Sequence, residues 1–102
     1  AVVQRFLWDN LHRPLTVAEV AAHVGMSERS FYRKFAALTG QTLMARLQQL
    51  RIQRAQMLLE ENDDSLADIG QQVGIPDPAY FCRCFKHHTG ATPHQYRKYM
   101  QS

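Results

Sequence analysis

The chain has 102 residues, of which 45% are hydrophobic, and its formal net charge is +3. This length favours one small domain and excludes the barrel and doubly wound folds of larger enzymes. The hydrophobic content suffices for a packed core, and no stretch approaches the roughly 18 apolar residues of a membrane span. The chain begins without Met, which we take to indicate a processed chain or a piece of a longer protein. Two cysteines are too few for a disulfide framework, so we expect the protein to be located in the reducing cytoplasm.

The charge is unevenly distributed along the chain. Residues 60–77 contain six acidic residues and no Lys or Arg, so this acidic segment carries −6. The rest of the chain holds all 12 basic residues and three acidic ones, which gives +9. A basic body of this kind is typical of proteins that meet polyanions, although a solvated surface is the commoner explanation of any single charge cluster.

The first part of the chain predicts a helix that ends before Pro14, followed by a helix pair in residues 15–40. Thr16 and Glu19 have the spacing of a capping box at the start of the pair. Gly25 stands where a left-handed residue would end its first helix, and Ser27 would begin the second. Two helices joined by a short turn with glycine are typical of a helix-turn-helix.

A long linker helix is predicted over about 42–60, with Thr42 as its cap and a stripe of leucines along it. At 1.5 Å per residue, 19 residues span about 28 Å. Successive major grooves on one face of DNA lie roughly 34 Å apart, so a single chain could reach both.

Residues 65–90 repeat the pattern of 15–40. The two copies align at an offset of 49 through Gly25 and Gly74, and at an offset of 50 from Phe31 and Phe81 onward, so the second turn holds one extra residue. Small residues, Ala21 and Gly70, precede the turn glycines by four and would let the paired helices cross closely. The second helix of the second copy would start at Asp77 with Pro78 in its first position, and Thr92-Pro93 would open a last helix.

The fold class that follows is all-α, with about seven helices in two helix-turn-helix subdomains joined by the linker helix. We expect one domain over residues 1–102, with units at about 15–40 and 65–90.

The second helix of each copy has an inward and an outward side at helical spacing. The predicted inward residues are Phe31, Phe35 and Leu38, and in the second copy Phe81, Phe85 and His88. The predicted outward residues are Arg29, Tyr32, Arg33 and Ala36, and in the second copy Ala79, Cys82, Arg83 and Lys86.

Arg33 and Arg83 therefore lie near the middle of two equivalent exposed faces. A major groove admits an α-helix, and the fork of an arginine can bond both acceptors of guanine. Small neighbours such as Ser30, Ala79 and Cys82 would permit close approach. A single exposed arginine is more often a solvated residue, but the recurrence at equivalent positions favours DNA reading.

Phosphate contacts are predicted at the helices that follow each copy, because a helix N-terminus offers free N–H groups and partial positive charge. Residues nearby would add affinity rather than sequence preference. For Arg51, an ion pair with the acidic segment and a phosphate contact both stay open. The predicted phosphate-contacting residues are Ser30, Thr42, Arg46, Lys86, Thr92, His94 and Arg97.

Other chemistry finds little support in the sequence. Cys82 and Cys84 would point about 160° apart on one helix, so a zinc site with His87 and His88 is not expected. No phosphate-loop or nucleophile motif occurs, and we expect no enzymatic activity, no metal and no cofactor. The alternative function is a helical protein-interaction module without DNA readout, which a salt titration of DNA binding would distinguish.

The chain resembles the DNA-binding domain of the AraC/XylS family of bacterial transcription regulators from about Phe6 to Tyr99. The most specific part is Tyr80-Phe81, Arg83, Phe85-Lys86, Gly90, Thr92-Pro93 and Tyr96-Arg97. The resemblance implies two recognition helices in successive major-groove segments of double-stranded DNA. It also implies RNA polymerase as a partner and a fused effector-sensing or dimerisation domain, which does not fit in this chain.

The resemblance places the base-reading positions on both recognition helices. Departures from the family pattern occur in the second copy: Ile75 replaces a common aromatic residue, and Pro78 and Ala79 lack side-chain donors. The second unit is thus expected to depend on Arg83 and apolar contact. The base-reading residues implied by the resemblance are Arg29, Tyr32 and Arg33, and Ala79, Cys82 and Arg83.

Overall fold

The computed structural model describes residues 2–101 and places seven helices, and no strand, in that part of the chain. They are α1 (Val2–Asn10), α2 (Val17–His23), α3 (Glu28–Thr39), α4 (Leu43–Glu61), α5 (Leu66–Gln72), α6 (Pro78–Thr89) and α7 (Pro93–Gln101). The all-α class with two helix-turn-helix pairs, α2–α3 and α5–α6, is confirmed. None of these helices is long and apolar enough to cross a membrane.

The chain divides into two compact units, and the boundary between Leu50 and Arg51 falls inside α4. The first unit packs α1, α2 and α3 with the N-terminal part of α4 around a largely aliphatic core. Its buried side chains are Leu7, Leu11, Leu15, Val20, Ala21, Phe31, Leu43, Leu47 and Leu50.

The second unit contains the rest of α4 with α5, α6 and α7. Its core has two phenylalanines from α6, and Tyr96 of α7 packs edge-on against Phe85 at 5.4 Å between ring centroids. The buried side chains are Ile52, Ala55, Leu58, Leu59, Ile69, Val73, Ile75, Phe81, Cys84, Phe85 and Pro93.

Side-chain caps fix the helix starts that the sequence predicts. The hydroxyl of Thr16 accepts from the Glu19 N–H at 3.1 Å, and that of Ser65 accepts from the Asp68 N–H at 3.1 Å. A hydrogen bond from Arg13, together with hydrogen bonds to Thr16, lowers the pKa of Glu19 despite some opposing desolvation. The capping box at α2 is therefore present, and Arg13 ties the preceding loop to it at 2.9 Å.

The two turns differ by the single residue that the repeat predicts. Gly25 and Gly74 have φ of 71° and 83°, a left-handed conformation that glycine adopts without a steric cost. Residues 24–27 join α2 to α3, whereas residues 73–77 join α5 to α6.

Gly70 makes the close helix crossing that was predicted from its size. A Cβ atom on Gly70 would lie 2.7 Å from the backbone oxygen of Ile75 and 3.5 Å from the Phe81 ring. The Ile75 N–H also donates to the Gly70 carbonyl at 2.8 Å. The turn thus folds directly onto the α5 backbone, and α6 follows from that position.

Two residues predicted to face inward are exposed. Leu38 is 76% exposed, although it lines an apolar cavity together with Val3, Val24 and Phe35. His88 is also exposed, and its Nδ1 lies 2.9 Å from the Cys84 carbonyl oxygen. Leu38 lies in the last turn of α3 and His88 in the last turn of α6. Periodicity gives the direction of each side chain there, but it does not show whether another helix packs against it.

Candidate nucleic-acid interface

The outer face of α3 brings its three predicted base-reading residues together in solvent. Ser27 caps the helix by accepting from the Ser30 N–H at 3.2 Å, and Phe31 anchors the underside in the core. With the underside fixed, Arg29, Tyr32 and Arg33 all lie exposed on the opposite side. The result is a helix, anchored on its buried side, that presents two guanidinium groups and a phenol to solvent.

Ser30, predicted to contact phosphate, lies beside this face. It lines an open depression together with Met26, Arg33, Lys34 and Ala37. The depression is shallow and basic, which suits a polyanion better than an apolar ligand.

The outer face of α6 has the same construction with different side chains. Asp77 accepts from the Ala79 N–H at 3.0 Å, and Phe81 and Phe85 are buried beneath. Ala79 and Arg83 are exposed, whereas Cys82 is only half-buried at the edge of the face. The Arg83 guanidinium lies over the ring of Tyr80, with 5.7 Å between Cζ and the ring centroid.

Tyr80 is the site neighbour that sequence reasoning did not assign. Tyr80 is 46% exposed and belongs to the same helical surface as Arg83, which lies three residues further on. An aromatic residue at that spacing before an outward arginine was the available signal, because residues three apart are neighbours on a helix.

The helices after each recognition helix start at equivalent, capped positions. Thr42 accepts from the Ala45 N–H at 3.1 Å, and Thr92 accepts from the Gln95 N–H at 3.2 Å. At α7 the box is reciprocal, since the Gln95 side chain accepts from the Thr92 N–H at 3.0 Å. Ala45 has no side-chain acceptor, so the two N-termini offer different sets of donors to an anion.

One hydrogen-bond pattern joins each recognition helix to the next helix. The Thr39 hydroxyl donates to the Phe35 carbonyl at 2.7 Å and also accepts from the Gln41 N–H at 3.3 Å. Thr89 makes the same pair of bonds, to Phe85 at 2.8 Å and from Ala91 at 3.3 Å. The ends of α3 and α6 are therefore held in the same way relative to the helix starts that follow them.

The other predicted phosphate-contacting residues have varied surroundings. Lys86 and His94 are exposed. Arg46 is half-buried and donates to the Gln49 side chain at 3.2 Å. Arg97 donates through Nη2 to the Asn62 carbonyl at 3.1 Å and through Nε to the Leu59 carbonyl at 3.5 Å. Arg97 thus satisfies carbonyls at the end of α4, and its phosphate role stays a prediction.

Arg51 is half-buried on α4, close to Tyr80 of the same unit. Burial lowers the pKa of Arg51, and the nearby Tyr80 acts in the opposite direction. The two interpretations of Arg51 stay open, but its position ties it to the neighbourhood of α6.

The cysteines occupy different sides of α6, as the 160° separation predicts. Cys84 is buried and Cys82 is half-buried, and neither forms a disulfide. Within residues 2–101, no group of three or more His, Cys, Asp or Glu side chains is arranged to hold a metal ion.

Two capped helix-turn-helix units, each with an exposed arginine on a helix anchored from beneath, define a helix-turn-helix DNA-binding protein. A family model described as a helix-turn-helix domain matches residues 20–99. The chain belongs to the AraC-type helix-turn-helix family of transcription regulators. It corresponds to the DNA-binding domain of these regulators.

Similar proteins of known name are bacterial regulators. The MmsAB operon regulatory protein of Pseudomonas aeruginosa is 34% identical over 93 residues, which cover 91% of this chain and 30% of that protein. The transcriptional activator NphR of a Rhodococcus species is 38% identical over 97 residues, covering 94% of this chain and 29% of that protein. The chain thus spans less than a third of the length of these relatives.

Solved structures agree with the family and the fold. The DNA-binding domain of AdpA, crystallised with a target DNA, has 32% identity and a TM-score of 0.88, over 96% of this chain and 88% of that one. An AraC-type regulator from Chromobacterium violaceum has 26% identity and a TM-score of 0.91, over the same shares of the two chains.

Proposed function

We propose that this chain binds double-stranded DNA sequence-specifically to regulate transcription, with α3 and α6 in successive major-groove segments. The observation that carries the proposal is the recurrence of Arg33 and Arg83, exposed at equivalent positions of two helices whose undersides are buried. The uninterrupted 19-residue α4 between them supports the same arrangement.

Each recognition helix would read bases with an arginine and its neighbours. Arg33 and Arg83 would each bond the two acceptors of a guanine, the commonest specific contact in the major groove. In the first unit, Arg29 and Tyr32 add long polar side chains that can form hydrogen bonds with bases. Ala79 and Cys82 present small surfaces in the second unit, which suit the methyl group of thymine.

Contacts with the phosphate backbone of DNA would set the position of the chain on the duplex. The N-termini of α4 and α7 at Thr42 and Thr92 would face phosphates. Exposed Lys86 would add positive charge, and so would Arg46 and Arg97 where their present partners allow. Ser30 and His94, which are also exposed, would add polar contacts. These contacts supply affinity without reading sequence.

The whole protein would be a cytoplasmic bacterial regulator that acts through binding rather than catalysis. The relatives are named as regulators, and each is more than three times as long as the segment that matches. We therefore propose a fused effector-sensing or dimerisation domain and contact with RNA polymerase.

The test is the selection of binding sites from random duplex DNA, followed by binding of variants to the selected site. Arg33→Ala and Arg83→Ala should each cost about 1–3 kcal/mol and relax the preference at one base pair. The matched control is Arg5→Ala, because Arg5 is equally charged and its side chain is 79% exposed on α1. If folded Arg33 and Arg83 variants keep the wild-type base preference, the base-reading assignment is wrong.

One observation favours the alternative of a protein-interaction module. Leu38 is 76% exposed and lines an apolar cavity with Val3, Val24 and Phe35. A Leu38→Ser variant that retains full DNA affinity but loses a protein partner would assign that surface to protein contact. Absence of salt-sensitive DNA binding by the wild-type chain would favour the alternative as the main function.

A further inference from the structure

Arg83 does not project freely from α6, because its guanidinium lies over the Tyr80 ring at 5.7 Å. Side chains on a helix lean towards its N-terminus, so an arginine runs over the residues three and four positions before it. For Arg83 those residues are Tyr80 and Ala79. The guanidinium is thereby directed towards the N-terminal turn of α6, the end from which recognition helices contact base edges.

The first unit lacks this arrangement at the equivalent positions. Ser30 stands where the second unit has Tyr80, and Arg29 stands where it has Ala79. Arg33 therefore has a like charge four residues before it and no ring three residues before it. The methyl group of Ala79 leaves room for the Arg83 guanidinium, and the ring gives it an attractive surface of about 0.5–1 kcal/mol when exposed.

Tyr80 lies in the capped first turn of α6. Its backbone N–H donates to the Asp77 carboxylate at 3.4 Å, in the cap that starts α6. Its side chain lies near Arg51 of α4, which is half-buried and whose pKa responds to it. The cap thus fixes the backbone from which the Tyr80 ring projects.

We propose that Tyr80 is a positioning residue that determines specificity: its ring holds the Arg83 guanidinium for a base edge rather than a phosphate. This inference rests on the proposed function, since it concerns how Arg83 reads DNA. In the second unit, the Arg83 side chain is thus already oriented for one base pair before DNA binds. In the first unit, the Arg33 side chain becomes ordered only on binding.

The first experiment compares Tyr80→Phe and Tyr80→Leu on duplexes that vary the base pair identified by Arg83→Ala. Tyr80→Leu should reduce discrimination at that base pair about two- to fivefold. It should leave the base pairs read by α3 and the salt dependence unchanged. Tyr80→Phe keeps the ring and should behave as wild type. The matched control is Tyr99→Leu, because Tyr99 is an exposed tyrosine of α7 that is not among the predicted contacts.

Several results would overturn the inference. One is unchanged discrimination in folded Tyr80→Leu, and another is an equal loss of affinity for all sequences in that variant. A Tyr80→Phe variant that behaves like Tyr80→Leu would also contradict the inference. So would an effect of Tyr80→Leu that persists in an Arg83→Ala background. If the wild-type chain binds no duplex specifically, the proposed function fails instead, which is a distinct outcome.

A second measurement needs neither DNA nor a variant. In the NMR spectrum of the free wild-type chain, the Arg83 side-chain protons should show an upfield ring-current shift relative to those of Arg33. Equal side-chain shifts for the two arginines would show that the ring does not hold Arg83, and would contradict the inference even if DNA binding is specific.

Discussion

The backbone oxygen of Ile75 lies 2.7 Å from the point where a side chain on Gly70 would begin. Such a contact cannot be relieved by moving a flexible side chain, since the neighbour is backbone. At the residue scale, the second unit therefore depends on the absence of a single methyl group.

Gly70→Ala should destabilise the chain by about 1–3 kcal/mol, the cost of overpacking a tight site. Helix propensity alone predicts the opposite sign, a gain of roughly 1 kcal/mol, so the direction of the change is diagnostic. Urea unfolding followed by circular dichroism measures it, with Gln71→Ala on the exposed side of α5 as the control. A stabilised variant would show that the turn moves away easily.

Tyr96 makes the stability of the second unit depend on pH in the alkaline range. Partial burial, and then the hydrogen bond that its hydroxyl donates to Glu60 at 2.6 Å, raise the pKa of Tyr96 to about 12. An unfolded chain loses this proton near pH 10 while the folded chain keeps it.

The stabilising contribution of Tyr96 should accordingly be complete below pH 10 and decline as the pH rises from 10 to 12. The difference in free energy of unfolding between wild type and Tyr96→Phe should shrink across this range, because the variant has no such proton to lose. Denaturant unfolding at several pH values checks it. A difference that stays constant would mean that Tyr96 titrates normally.

At the scale of elements, the periodicity and caps of the sequence predicted the helices well. Thr16, Ser27 and Asp77 each begin the helix expected of them, because a cap depends on residues two or three positions away. Contacts between distant residues carry no local signal. Arg97 bonds the carbonyls of Leu59 and Asn62, which are 38 and 35 residues earlier.

The candidate site was predictable to a similar limit. The outward side of each recognition helix follows from helical spacing, and Arg29, Tyr32, Arg33, Ala79 and Arg83 are exposed there. The exposure of Leu38 was missed because spacing cannot show where the neighbouring helices stop. The contact between Arg83 and Tyr80 depends on side-chain conformation, which spacing does not specify.

The threonines that close α3 and α6 provide a test within the repeat. Thr89→Val should cost about 0.5–1.5 kcal/mol, since it removes a hydroxyl that bonds Phe85 and Ala91 in a half-buried position. Thr39→Val should cost less, because Thr39 makes the same bonds in an exposed position. Thermal unfolding of both variants measures the order, and equal costs would contradict the role of burial.

At the scale of the whole molecule, charge is divided rather than balanced. All six carboxylates of the acidic segment are exposed, and several act locally: Asp77 caps α6, Asp64 accepts from Gln72, and Glu60 accepts from Tyr96. The net charge of +3 therefore says little about how strongly the basic faces meet DNA.

Binding to duplex DNA should weaken steeply with salt, with a slope in log K against log salt of about −0.9 for each phosphate neutralised. Lys86→Ala should reduce the size of that slope by about 1 and weaken all sequences alike. Lys98→Ala, exposed on α7 and not among the predicted contacts, is the matched control. A slope unaffected by either variant would remove Lys86 from the phosphate contacts.

The differences between α3 and α6 have a consequence for the target. Arg29 corresponds to Ala79, Tyr32 to Cys82 and Ser30 to Tyr80. If these residues read bases as proposed, the two halves of one bound chain would read different bases. A sequence recognised this way has no dyad and differs when read from its other end. A single chain would therefore sit on a promoter in one orientation, and the rest of the regulator would face a fixed direction along the DNA.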